Sequence, residues 1–115
     1  MAESIYKRVT PEIARKRRET ASKNFEAFRD FSKQVFSEGA LDVKTKQLIA
    51  VAAAHITQCP YCIESHSKQA VKAGATDEQI MEAIWVAVEM RAGAGYAHSG
   101  IALEAIGEAD GKWFK

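Results

Sequence analysis

Residues 42–57 read DVKTKQLIAVAAAHIT, and residues 59–66 read CPYCIESH. From Leu48 to Ile56 the first stretch is apolar on every side except at His55. That is the pattern of a helix buried all round, not of a one-faced surface helix. Asp42 is a good N-cap, so the pattern predicts a helix from Val43 to about Thr57 and makes it the most buried element. A chain of 115 residues has room for one domain, 1–115, and for one core. Surrounding so apolar a helix with so few residues calls for a neighbouring subunit as well.

Working outward, Pro11 and Pro60 both stand where a helix can start, because the N–H that proline lacks is unused in a first turn. Thr10-Pro11 opens a helix expected to run to about Glu38, with Phe25, Phe28, Phe31, Val35 and Phe36 on one face and Gly39 as its C-terminal cap. Cys59-Pro60 opens another, ending at Gly74. Thr76 with Gln79 forms a capping-box pattern for the next, which carries Ile80, Met81, Ile84, Trp85, Val86 and Val88 towards Met90. Gly93 and Gly95 are expected to interrupt it, leaving Ala97 to Ile106 as a last helix before Gly107. No stretch alternates as a strand does. The expectation is an all-α bundle of about five or six helices with short connections.

Composition excludes several classes. Net charge is +1, so no global field favours nucleic acid or an anionic membrane, and Arg15-Lys16-Arg17-Arg18 reads as a solvated basic face with Glu12, Glu19 and Glu26 as partners. The longest uninterrupted apolar run, Leu48 to Ala54, has 7 residues, well short of the ~20 that span a bilayer. Residues 1–10 carry no hydrophobic signal core, and the expected location is the cytoplasm. The 2 cysteines lie too close together to staple a secreted domain.

Their spacing points to chemistry instead. In a cytosolic protein a C-x-x-C pair is a redox dithiol or half of a metal site. With Pro60 in the first turn, Cys59 and Cys62 open a helix whose dipole and free N–H groups favour a thiolate. Three residues apart on a helix, the two sulfurs can bond without chain movement. His66 follows Cys62 by one turn on the same face, within reach to take its proton. The bland alternative is two small buried hydrophobes. A metal alternative would recruit Cys59, Cys62 and His66 with His55 or His98 to zinc. The second close ligand pair of a zinc finger is missing, and no metal is assigned.

The stretch Lys46-Gln47-Leu48-Ile49-Ala50, then Cys59-Pro60-Tyr61-Cys62 with His66, Ala70 and Gly74-Ala75, resembles the core of the AhpD-like (carboxymuconolactone decarboxylase) superfamily, over about 41–105. The resemblance implies an all-α subunit of a homotrimer or homohexamer. It implies thiol-dependent hydroperoxide reduction in members that keep both cysteines, with no cofactor beyond the redox-active Cys59–Cys62 disulfide and an external dithiol as reductant. Cys62 would be the peroxidatic thiol and Cys59 the resolving one. The helix start alone would favour Cys59 as the more acidic thiol; the resemblance and His66 favour Cys62.

One position departs from the family. Where members often carry a glutamate at the end of a proton relay, twelve residues before the first cysteine, this chain has Gln47. An amide cannot accept a proton at neutral pH. Either His66 acts alone or another group substitutes, the candidates being His98, His55 and Glu89. Tyr61 is a pocket wall, a hydroxyl donor or a packing residue. The bland readings are a core histidine with a backbone partner for His55 and a solvated stripe for Glu78, Glu82 and Glu89. Ala92 to Ala97 suit close backbone packing, and Trp113 and Phe114 are expected to dock on the core or a neighbour. The rival functions are a decarboxylase-type small-molecule enzyme with incidental cysteines, and a non-enzymatic redox-sensing or zinc-holding oligomer.

Overall fold

The computed structural model describes residues 5–111. Among them are five α-helices and no strand: α1 (Pro11–Thr20), α2 (Ser22–Val35), α3 (Val43–Thr57), α4 (Pro60–Lys72) and α5 (Asp77–Asp110). The all-α expectation holds. Two compact units divide the chain, Met1–Lys46 and Gln47–Lys115. Trp113 and Phe114 lie outside the described residues.

In the first unit Thr10 caps α1 as expected, its hydroxyl accepting from Ile13 N–H at 3.2 Å. The single long helix expected over residues 11–38 is instead two. Ala21, at φ −142° and ψ 65°, leaves helical geometry between α1 and α2. Thr20-Ala21-Ser22-Lys23-Asn24 concentrates residues whose side chains compete for backbone groups, and the Thr20 hydroxyl donates to Lys16 O at 2.6 Å. Nor is Gly39 the cap of the second piece. Phe36 takes that place, because the Ser37 hydroxyl donates to Gln34 O at 2.7 Å and the Lys46 ammonium to Ser37 O at 2.6 Å. Those bonds satisfy carbonyls of the last turn and just beyond it before Gly39 is reached. Arg15 pairs loosely with Glu19, N to O 3.9 Å, on an exposed face.

The second unit holds the core. Val51 of α3, Ala70 of α4 and Ala75 of the following turn are buried together, with Leu48, Ile80 and Ile84 packed against them. α3 contributes more buried residues than any other helix, namely Gln47, Val51 and Ala54. It is not enclosed all round, however, since Ile49 stays 51% exposed.

Two corners of this unit share one turn chemistry. At the end of α3, Gln58 adopts a left-handed φ of 57° and Cys59 N–H reaches back to Ala54 O at 3.1 Å. At the end of α4, Gly74 adopts φ 97° while Ala75 N–H bonds Ala70 O and Gly74 N–H bonds Val71 O, at 2.9 and 3.0 Å. A left-handed residue followed by an N–H that reaches back five residues to a helical carbonyl is the Schellman motif. Glycine suits it at position 74; at position 58 a glutamine adopts it with a Cβ penalty.

Thr76 and Gln79 form the expected capping box at the start of α5, and Gly111, at φ 67°, caps its end. Between them α5 runs unbroken for 34 residues, so Gly93 and Gly95 do not interrupt it. Glycine lowers helix propensity by about 1 kcal/mol but removes no hydrogen bond. Neighbouring Ala92, Ala94 and Ala97 are strong helix formers, and no proline intervenes. No helix among the described residues is long and apolar enough to cross a membrane.

Candidate active site

The α3–α4 corner positions the two cysteines. The Schellman turn ends α3 and delivers Cys59 directly as the N-cap of α4, with Pro60 as the first helical residue. Cys62 N–H donates to Cys59 Sγ at 3.2 Å, so a cysteine sulfur does what a serine or aspartate oxygen does at an ordinary N-cap. Cys59 and Cys62 are joined by a disulfide across a Cα–Cα distance of 5.3 Å. Both are partly buried, and Tyr61 between them is 45% exposed.

His66 lies one turn beyond Cys62 on α4 and is held from α3. Its Nδ1 is 2.8 Å from Gln47 Oε1. A carbonyl oxygen accepts only, so the imidazole proton sits on Nδ1 and leaves Nε2 as the basic nitrogen. Burial pushes the His66 pKa below its ordinary value of 6.5, keeping the ring neutral near pH 7. Gln47 itself is 3% exposed. Its Nε2 donates to Gln69 Oε1 at 3.3 Å, and Gln69 Nε2 donates to Ser65 Oγ at 3.0 Å.

His55 Nδ1 bonds the Val51 carbonyl at 2.8 Å, the backbone partnership of its bland reading. His98 is exposed on α5 and bonds Ala94 O at 2.6 Å. Glu89 lies along α5 beside Gly93, where a Cβ would meet its Oε1 at 3.4 Å. Among the described residues no three or more His, Cys, Asp or Glu side chains are grouped so as to hold a metal ion. The residues that sequence reasoning missed are Gln69 and Ser65. Helical spacing was the available signal, since Gln69 follows His66 by three residues and Ser65 by four.

Further along, an open groove of about 510 Å3 is lined by Ile56, Met90, Arg91 and Ala94. Arg91 Nη1 donates to Ile56 O at 2.7 Å, satisfying a carbonyl in the last turn of α3. The chemistry available from the whole arrangement is that of a dithiol–disulfide couple with a neutral, oriented imidazole one turn away.

Comparison with known proteins agrees with this architecture. Residues 22–105 match the model of the carboxymuconolactone decarboxylase family. A Paracoccus denitrificans protein described as protein 4 in the cox locus is 66% identical over 75% of this chain and 78% of its own. A carboxymuconolactone decarboxylase family protein from Legionella pneumophila superposes with a TM-score of 0.66 at 39% identity, covering 83% of this chain and 85% of that one. A third relative, from Thermotoga maritima, is a family protein described as a candidate for a role in antioxidative response. It superposes with a TM-score of 0.54 at 31% identity, covering 74% of this chain and 97% of its own. The chain belongs to the carboxymuconolactone decarboxylase family.

Proposed function

We propose that this chain is a thiol-dependent peroxidase that reduces hydroperoxides through Cys59 and Cys62. The observation that carries the reading is the Cys59–Cys62 disulfide at the head of α4, one turn from a histidine held by Gln47. The antioxidative description of the Thermotoga relative points the same way.

In the reduced protein, His66 Nε2 takes the Cys62 proton. The thiolate attacks the distal oxygen of the hydroperoxide and the O–O bond breaks. The leaving alkoxide takes the proton back from His66 and departs as an alcohol, and Cys62 becomes a sulfenic acid. Cys59 sulfur then displaces water from Cys62, forming the disulfide. An external dithiol restores both thiols and is itself oxidised. Two electrons pass from dithiol to peroxide in each cycle, and no bound cofactor is required. Because the pair must be re-reduced, a reducing compartment such as the cytoplasm suits it.

The working form is a homo-oligomer, a trimer or hexamer. Trp85, Val86, Met90, Tyr96 and Ile101 of α5 are each at least 60% exposed, more large apolar surface on one helix than a solitary subunit would leave in water.

Steady-state consumption of a hydroperoxide with dithiothreitol as reductant tests the reading. Turnover should vanish in Cys59→Ser and Cys62→Ser and fall by about 100-fold in His66→Ala, the usual worth of a general base. A second reading, a decarboxylase-type enzyme with incidental cysteines, is favoured by the family match and by the missing carboxylate at Gln47. It requires an activity on a small lactone that survives the double cysteine substitution.

A further inference from the structure

We propose that Arg91 is a positioning residue for Cys59, pinning the α3–α4 corner so that the reduced thiol stays in bonding register with Cys62. The proposal rests on the reading of Cys59 and Cys62 as a working dithiol.

Two corners of the same design differ in what stands at their left-handed position. At the end of α4 it is Gly74, which adopts φ 97° with no Cβ to crowd the chain. At the end of α3 it is Gln58, at φ 57°, where the Cβ approaches the following carbonyl oxygen. The α3 corner is therefore the harder one to hold, and it is the one that delivers a cysteine. It is also tied from outside, since Arg91 Nη1 of α5 donates to Ile56 O at 2.7 Å across 35 residues of chain. The sense of that bond is fixed, because a guanidinium only donates and a carbonyl only accepts. Among the described residues no side chain of a distant helix ties the α4 corner in this way.

The redox cycle gives the tie its use. In the oxidised protein the disulfide itself holds Cys59 and Cys62 at a Cα–Cα distance of 5.3 Å. Reduction removes that restraint. Cys59 is then held by its N–H on Ala54 O at 3.1 Å, supported by the long bond of the Thr57 hydroxyl to the same carbonyl at 3.4 Å. The strain at Gln58 is relieved when the last turn of α3 unwinds, which swings the Ile56 carbonyl away from its helical direction and carries Cys59 off the N-cap. Arg91 holds that carbonyl in place. Its anchor is firm, because Ile80 and Ile84 of the same helix pack against the core. Arg91 itself is exposed, so replacing it leaves the core untouched.

Stopped-flow oxidation of the reduced protein by dithiodipyridine, an uncharged aromatic disulfide, tests the proposal without any peroxide. One thiolate attacks the reagent and releases a first thiopyridone in a second-order step. The other thiolate then displaces the second thiopyridone from the protein, a first-order step that closes the Cys59–Cys62 disulfide. Rates are compared on the plateau at high pH, where both thiols are ionised. Arg91→Met should slow closure by about fivefold, less than the full worth of a charge-assisted hydrogen bond because the bond is exposed. In a Cys59→Ser background the second-order reaction of Cys62 should not change with Arg91→Met, whereas a general loosening of the subunit would alter it. In a Gln58→Gly background, where the corner carries no Cβ penalty, Arg91→Met should leave closure unchanged. Closure as fast as wild type in Arg91→Met overturns the proposal. So does an equal loss in the Gln58→Gly background, or an altered Cys62 reaction. If closure depends on Arg91 as stated while wild type consumes no hydroperoxide, the peroxidase reading fails and the positioning role stands. If peroxide turnover is normal and closure ignores Arg91, the positioning role alone fails.

Discussion

Gln47 Oε1 lies 2.8 Å from His66 Nδ1, so an uncharged carbonyl from α3 holds the imidazole that the α4 helix places beyond the cysteines. A carboxylate in that position would stabilise the imidazolium and raise its pKa. An amide gives direction without charge, and burial then pushes the pKa the other way, below 6.5. Under the proposed function, glutamine in place of the glutamate that the resemblance leads one to expect is a change in how His66 is tuned, not the loss of a base.

Gln47→Glu should reverse that tuning. A carboxylate against Nδ1 favours the charged ring, and shifts of this kind amount to about one unit or more. The pH profile of Cys62 alkylation in the reduced protein would show its acid limb moving upwards by that amount. An unmoved limb would mean that His66 does not govern the thiol.

The same lowering has a consequence for stability. His66 has an ordinary pKa of 6.5 when unfolded and a lower one when folded. Above 6.5 both states are neutral and the group contributes no pH dependence. As pH falls below 6.5 the unfolded state binds the proton first, so folding is progressively penalised until the folded pKa is passed. Urea midpoints taken from pH 7 to pH 5 should therefore fall, and fall less in His66→Gln. Asp42 acts in a separate window. Its carboxylate accepts Thr45 N–H at 2.7 Å, which lowers its pKa from 3.8. Its contribution is intact above 3.8 and is lost as pH falls through the lowered folded value.

Gly74→Ala isolates the α4–α5 corner. Its φ is 97° and an added Cβ meets nothing within 4 Å, so the cost is purely conformational. A loss of about 1–2 kcal/mol is expected from urea denaturation, with no change in the alkylation profile of Cys62.

Gly95→Ala tests the continuity of α5. No atom lies within 4 Å of the added Cβ, and alanine is the better helix former. An isolated subunit should gain about 1 kcal/mol. A loss would place Gly95 against another chain.

Legibility followed the kind of physics involved. The Thr10, Asp42 and Thr76 caps and the bounds of α3 were plain, because capping and periodicity are local. The break at Ala21 was not, since it depends on Thr20 turning back to Lys16 O in competition with a long apolar pattern. Gly93 and Gly95 were misleading for the opposite reason: glycine weakens a helix without ending it when strong formers surround it. At the site, Cys59, Cys62 and His66 were visible as helical neighbours. Gln47 could be suspected only by resemblance, and its contact with His66 across 19 residues of chain belongs to packing. Gln69 went unnoticed because its helical spacing from His66 and Ser65 is one that any exposed helix glutamine can have, and only the bond from Gln47 singles it out.

The most direct measurement is the intact mass of the reduced protein after a slight excess of hydroperoxide. Wild type should lose two hydrogens and leave neither thiol open to alkylation. Cys59→Ser should instead gain one oxygen, as a sulfenic acid at Cys62 that dimedone captures, and Cys62→Ser should remain reduced. Wild-type protein with both thiols still alkylatable, or a sulfenic acid found on Cys59, would contradict the account.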